Sequence, residues 1–318
     1  MDNSIKLIRA SIYSFFCNYH TFASLATILI FPYSAATLLS ASLIPSSPPS
    51  SSSSSLPTAV SHRFLSVFKA TNFPLNSPLF DIISLKLSQT ILSFLFALPF
   101  TLTFLTLSKA TIIFAAGELP RHTPSPSLSS ILHLYPPLLF THLFTRFIIL
   151  STNVAVFSMF LIAFFVVDEL GLTSTSSLFI LSGIAAVIYS TTVANVLVIC
   201  NLATIVAAME NCNGYTAVLK ACVLIRGRAA VALFLALCSN LGMAAIEGLF
   251  QIRVIKIYNQ NGSFDLSLVF EALTIIYLYS IFGVVDNIIS CCFYKSCRYE
   301  LLVKYAKFEG QGRGDLKI

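Results

Sequence analysis

Long apolar blocks constrain this chain more than any other feature, because each is long enough to cross a lipid bilayer. A spanning helix needs about 20 mainly apolar residues, and six blocks meet that length: 21–44, 87–108, 147–167, 178–208, 229–249 and 269–292. Lipid supplies no hydrogen bonds, so a backbone crossing it must satisfy its own, which favours helices. The expected fold is all-α, a polytopic helical membrane protein with six transmembrane helices and short interfacial helices. Only 10% of the residues are charged, against about 25% in a soluble domain. No long polar stretch remains in which a separate catalytic domain could sit, so one membrane domain is expected.

The first block is too long for the apolar region of a cleaved signal peptide and holds Pro32, so it is expected to remain as a helix kinked there. Six spans put both termini on one side. With a cytoplasmic N-terminus, the other side holds only Arg63, Lys69, Lys86, Arg253 and Lys256, and the rest of the 19 Lys and Arg lie in the cytoplasm or at its interface. That bias follows the positive-inside rule. The net charge of +6 is therefore read as topology, and no nucleic-acid partner is expected. The triplet Asn261-Gly262-Ser263 falls in the fifth loop, outside the cytoplasm, making Asn261 a candidate glycosylation site. An endomembrane and the plasma membrane both fit, since the C-terminal "GRGDLKI" is no retrieval signal.

The expected organisation is a cytoplasmic interfacial helix over 1–20, a transmembrane domain over 21–294 and a basic cytoplasmic tail over 295–318. Residues 1–20 place Ile5, Ile8, Ile12 and Phe15 or Phe16 at helical spacing around Lys6 and Arg9, as in a helix lying in the interface. Ser/Pro-rich residues 45–58 bury too little apolar surface to offset ordering entropy and are expected to be disordered. The segment after them is either interfacial, through Val60, Phe64, Leu65 and Phe68, or a plain connector.

Between spans four and five, "ENCNG" carries turn-forming residues. Tyr215, Val218, Leu219, Cys222 and Ile225 then recur at helical spacing, and Gly227 is expected to break that helix before the fifth span. A surface-lying or re-entering helix fits, with Lys220, Arg226 and Arg228 as candidate contacts to anionic headgroups, each worth about 1 kcal/mol. "TIIFAAGE" ending at Glu118 echoes "TIVAAME" ending at Glu210, which raises a parallel repeat of spans two and three in spans four and five against chance similarity of apolar segments.

The pattern from Leu202 to Gly227, "LA-x-x-V-x-x-x-E-x-x-x-G-x-x-A-x-x-x-A-x-x-L-I-R-G" with Ile205 at its first Val, resembles that of uncharacterised multi-pass membrane proteins abundant in plants. More distantly it is similar to the membrane domain of bacterial glycerophosphoryl diester phosphodiesterases. The first resemblance implies a helical membrane domain without an assigned activity. The second implies the membrane part alone, because the hydrolase domain has no counterpart here, so phosphodiesterase activity does not transfer.

Asp286 falls well inside the sixth block, and a charge at that depth is costly unless paired or functional. Lys109 and Arg146, read as ending the second span and beginning the third, are its candidate partners in an intramembrane ion pair; a proton or ion pathway and a water-facing side chain are the alternatives. Ser182, Ala186, Ser190 and Ala194 form a small-residue row expected to pack against another helix of the same chain, with a dimer contact as the alternative. Asn153, Asn195, Asn201 and Asn240 are read as interhelical hydrogen-bond partners. Cys291, Cys292 and Cys297 close the last block and are either packing residues or acylation sites. No nucleotide-binding, nucleophile-elbow or zinc-protease motif occurs, and the five histidines share no ligand spacing. No catalytic residue, cofactor or metal is expected.

Two functions fit. One is a non-enzymatic protein that organises the bilayer, anionic lipid headgroups or membrane-protein partners through a basic cytoplasmic face. The other is a small-solute transporter or channel using Asp286.

Overall fold

The computed structural model describes residues 2–42, 95–117, 128–169, 175–261 and 265–314. The Ser/Pro-rich loop 45–58, the segment around Phe64, Glu118 and the Gly262-Ser263 pair lie outside the described residues. Among the described residues the chain is almost entirely helix joined by short turns, without a strand. Six helical stretches are long and apolar enough to span a bilayer: Tyr19–Ser40, Leu95–Ala115, Leu134–Phe160, Ser182–Glu210, Ala229–Tyr258 and Leu266–Val303. The protein is an integral membrane protein of the polytopic helical class.

Helix α1 spans Asp2–Cys17, α2 Tyr19–Leu25 and α3 Phe31–Ser42. Residues 95–100 are helical, α4 spans Thr106–Gly117, α5 Leu128–Glu169, α6 Thr175–Glu210, α7 Gly214–Ile225, α8 Ala229–Phe250, α9 Lys256–Asn261 and α10 Leu266–Gly314. Wider π-helical turns occupy Ala26–Ile30, Thr101–Leu105 and Gln251–Ile255. The first directly precedes Phe31-Pro32 and the second follows Pro99. Proline has no N–H to give its helix, and a π turn re-registers the backbone around the lost bond. Near Pro99, Thr101 and Thr103 hydroxyls also donate to the carbonyls of Ala97 (2.8 Å) and Pro99 (2.7 Å).

The chain divides into two compact units. The first comprises Met1–Leu25, Thr106–Gly242 and Gly283–Ile318. Its core forms around the C-terminal half of α6, where Leu202 to Ala208 are buried on every side. Small Ala203, Ala207 and Ala208 let neighbours approach closely, and α7 presents its own small residues, Ala217 and Ala221, to the same cluster. Leu138 of α5, Ile113 of α4 and Tyr294 and Cys297 of α10 complete it.

The second unit comprises Ala26–Leu105 and Met243–Phe282. Its core joins Leu38 of α3 to Ile246 and Phe250 of α8, Val254 of the third π turn and Leu268, Ile275, Ile276 and Tyr279 of α10. Within it Ser280 Oγ donates to Ser34 Oγ at 3.0 Å, a polar pair buried between two helices.

Three sequence expectations change here. The third helix starts at Leu128 rather than near 147 and runs through Pro136 and Pro137, so Arg146 lies within the span Leu134–Phe160 rather than at its start. Likewise the second span continues to Ala115, and Lys109 sits inside it. The small-residue row is also mostly exposed among the described residues, with Ala194 half-buried. Ser182, Ala186 and Ser190 are exposed, and α6 turns the adjacent Ala185 inward instead.

Candidate functional site

Two clusters in the first unit gather the polar residues, one at the junction of α6, α7 and α10 and one within the spans. The junction begins with the turn "NCNG": Asn211 adopts a left-handed conformation (φ 48°), and Gly214, also left-handed (φ 41°), starts α7. The Gly214 N–H donates to Thr141 Oγ1 at 2.9 Å, which fixes the helix start against α5. A Cβ at Gly214 would lie 2.7 Å from Cε1 of the Phe140 ring, so both backbone and space require glycine.

Helix α7 buries Gly214, Ala217, Ala221 and Ile225 and turns the opposite face outward. There Tyr215, Leu219 and Val223, spaced four apart, are 64%, 46% and 64% exposed. Arg226 ends the helix in an extended conformation and Gly227 follows in the left-handed region (φ 90°), as the sequence predicts for a helix break. Helix α1 is two-faced in the same way. Leu7, Ile8 and Phe15 turn inward, while Ile5, Ile12, Tyr13 and Phe16 are exposed beside exposed Lys6 and Arg9.

The three cations of the loop divide unequally. Lys220 Nζ lies 2.7 Å from Glu210 Oε2, and this carboxylate holds the exposed ammonium above its ordinary pKa. Glu210 Oε1 accepts from the Tyr294 hydroxyl at 2.8 Å, and Arg298 donates to that same oxygen of Tyr294 at 3.4 Å. Arg228 pairs with Glu300 and donates to Ser296 Oγ at 3.0 Å. Arg226 is exposed and, among the described residues, makes no ion pair. Tyr294 and Glu300 carry no local sequence signal for these roles, because α10 brings them from more than seventy positions away.

The second cluster lies inside the spans. Arg146 Nε donates to His142 Nε2 at 3.3 Å on α5, and the charges of Arg146 and Asp286 both act on Lys109. Of the predicted group, Lys109 thus interacts electrostatically with both of the others. Among the described residues, however, Asp286 makes no ion pair; its Oδ1 accepts a hydrogen bond from Ser239 of α8. Asp286 and Ser239 line a cleft of about 60 Å³ between α6, α8 and α10, together with Asn201, Asn240 and Ser290.

The other sequence candidates scatter. Asn153 Oδ1 accepts from Tyr189 OH at 2.8 Å and joins α5 to α6, whereas Asn195 donates to Thr191 of its own helix at 2.9 Å. Cys291 and Cys297 are buried in the core and Cys292 is half-buried, so two of the three acylation candidates face the protein. Asn261 ends α9, and the rest of its glycosylation triplet lies outside the described residues. Beyond Val303 the predicted tail continues as helix to Gly314. Among the described residues no three His, Cys, Asp or Glu converge as a metal site.

No curated protein and no solved structure matches the chain. A family model described as Domain of unknown function (DUF8558) matches residues 4–302, and the chain belongs to that family.

Proposed function

We propose that this protein acts without catalysis, organising lipid on the cytoplasmic face of its membrane through α7 and α1. The observation that carries the reading is the outward row Tyr215, Leu219 and Val223 on a helix whose other face is locked into the protein core. A short helix held from below and apolar above can lie in the headgroup boundary. Arg226 at its end and Lys6 and Arg9 on α1 are exposed cations available to anionic headgroups. The positive-inside count supports a cytoplasmic placement of this side.

Of the three loop cations in the sequence reading, Arg226 is the one assigned to lipid, since Lys220 and Arg228 are held by Glu210 and Glu300. The test is the amount of anionic phospholipid retained by the protein in nanodiscs of mixed composition. Arg226→Gln is expected to weaken that retention roughly fivefold, the equivalent of about 1 kcal/mol, and Lys220→Gln to leave it nearly unchanged. Equal retention by wild type and Arg226→Gln would remove the reading.

A further inference from the structure

Asn201 of α6 and Asn240 of α8 lie within the spans Ser182–Glu210 and Ala229–Tyr258, yet both are exposed. Neither side chain forms a hydrogen bond among the described residues. The other asparagines of the spans are closed within the chain: Asn153 accepts from Tyr189, Asn195 donates to the Thr191 carbonyl and Asn287 to that of Gly283. Exposure within a span is exposure to lipid tails, which offer no hydrogen bond, so a bare carboxamide there is costly. On α8, Leu237, Asn240, Leu241 and Ala244 follow the spacing of one helix stripe and all are exposed, so Asn240 belongs to an outward face.

The two asparagines border the same cleft, so they share one side of the first unit. Along the helix rise, Asn201 lies about 14 Å from the Glu210 end of its span and Asn240 about 17 Å from the Ala229 end of its own. These ends are joined through α7, which at 12 residues is too short to cross a bilayer, so they lie on the same side of the membrane. The two carboxamides therefore sit at nearly one depth. Depth decides what can cover them. A carboxamide both donates and accepts, so two of them form a reciprocal pair. In a two-fold symmetric contact, residue i of one copy meets residue j of the other, and j meets i. When the axis runs along the membrane normal, rotation leaves depth unchanged, so only residues at equal depth can meet. Asn201 and Asn240 satisfy that condition: an axis passing between them places each against the other asparagine of a second copy.

We propose that the face of α6 and α8 carrying Asn201 and Asn240 is the interface of a two-fold symmetric dimer, in which the carboxamide of Asn201 bonds to that of Asn240 in the second copy, and the reverse. The second copy supplies hydrogen bonds that the single chain leaves open, and such bonds between helices drive association in lipid. The test is energy transfer between donor-labelled and acceptor-labelled copies of the full chain, reconstituted in liposomes over a range of protein-to-lipid ratios. Wild type is expected to associate as a dimer. Asn201→Leu and Asn240→Leu are each expected to raise its dissociation constant roughly sevenfold, since each removes both symmetric bonds and one such bond is worth about threefold. Both variants should fold, because neither removes a side-chain hydrogen bond within the described protein, and circular dichroism checks their helix content. Val223→Ala, on the outward row of α7, is expected to leave the dimer unchanged. A chain that is monomeric at every ratio, or a dimer that either leucine variant leaves unchanged, would overturn the proposal. So would equal weakening by Val223→Ala, which would mark clustering without a defined interface.

Discussion

Glu210 closes the fourth span by holding two groups at once, Lys220 from α7 at 2.7 Å and the Tyr294 hydroxyl from α10 at 2.8 Å. The two bonds differ in value because their surroundings differ. The Lys220 side chain is 52% exposed, where ion pairs contribute about 1 kcal/mol or less. Tyr294 is buried, and a buried hydroxyl stripped of its partner costs about 1–3 kcal/mol. Lys220→Gln is therefore expected to change stability little and Glu210→Ala to lower it by about 1–3 kcal/mol, measured by thermal unfolding in detergent. Equal losses from the two variants would contradict this ranking.

Two glycines flank α7 with different demands. Gly227 needs only its left-handed backbone, for nothing lies within 4 Å of a Cβ there, whereas Gly214 needs both backbone and space. Gly227→Ala is expected to cost about 1–2 kcal/mol, and Gly214→Ala more, because the Phe140 ring must also move. Equal melting temperatures for the two variants would show that the Phe140 contact carries no cost.

The bond from Tyr189 to Asn153 ties α5 to α6 within the spans. Interhelical hydrogen bonds in membranes average about 0.6 kcal/mol, so Tyr189→Phe should lower stability by roughly that amount. A double-mutant cycle with Asn153→Ala isolates it, and a coupling energy of zero would mean the pair contributes nothing.

Cys291 and Cys297 are buried in the core of the first unit. Variants keeping only one of them should stay unlabelled by membrane-permeant N-ethylmaleimide until denatured, and should incorporate no palmitate. Rapid labelling of either thiol in the native membrane would contradict its burial.

The apolar blocks made the fold class and the spans legible, since length and hydropathy alone set what lipid accepts. The third block was read short because Pro136, Pro137, His142 and Arg146 interrupt its apolar run. The helix continues through them: the Thr141 hydroxyl donates to the Pro137 carbonyl at 2.8 Å, and Arg146 finds His142. Extending that helix moves Arg146 from the interface into the span. The echo between "TIIFAAGE" and "TIVAAME" likewise meets two outcomes, because the short stretch after the first copy fuses with the next span into α5, while Gly227 separates the second copy's α7 from α8.

The candidate sites were legible only in part. Asp286 stood out as an acid within an apolar block, but Ser239 is an ordinary residue in its own helix and becomes a partner through packing alone. The surroundings of Lys220 and Arg228 were hidden for the same reason, since Glu300 belongs to a helix that extends past the predicted end of the sixth block.

The most direct test of the account is the location of the two termini. With reporter tags fused to both ends and read out by protease protection in sealed membranes, a chain of six spans places both tags in one compartment, the cytoplasm. Tags protected on opposite sides would mean an odd number of crossings and would contradict the threading on which the proposed lipid-facing role of α7 depends.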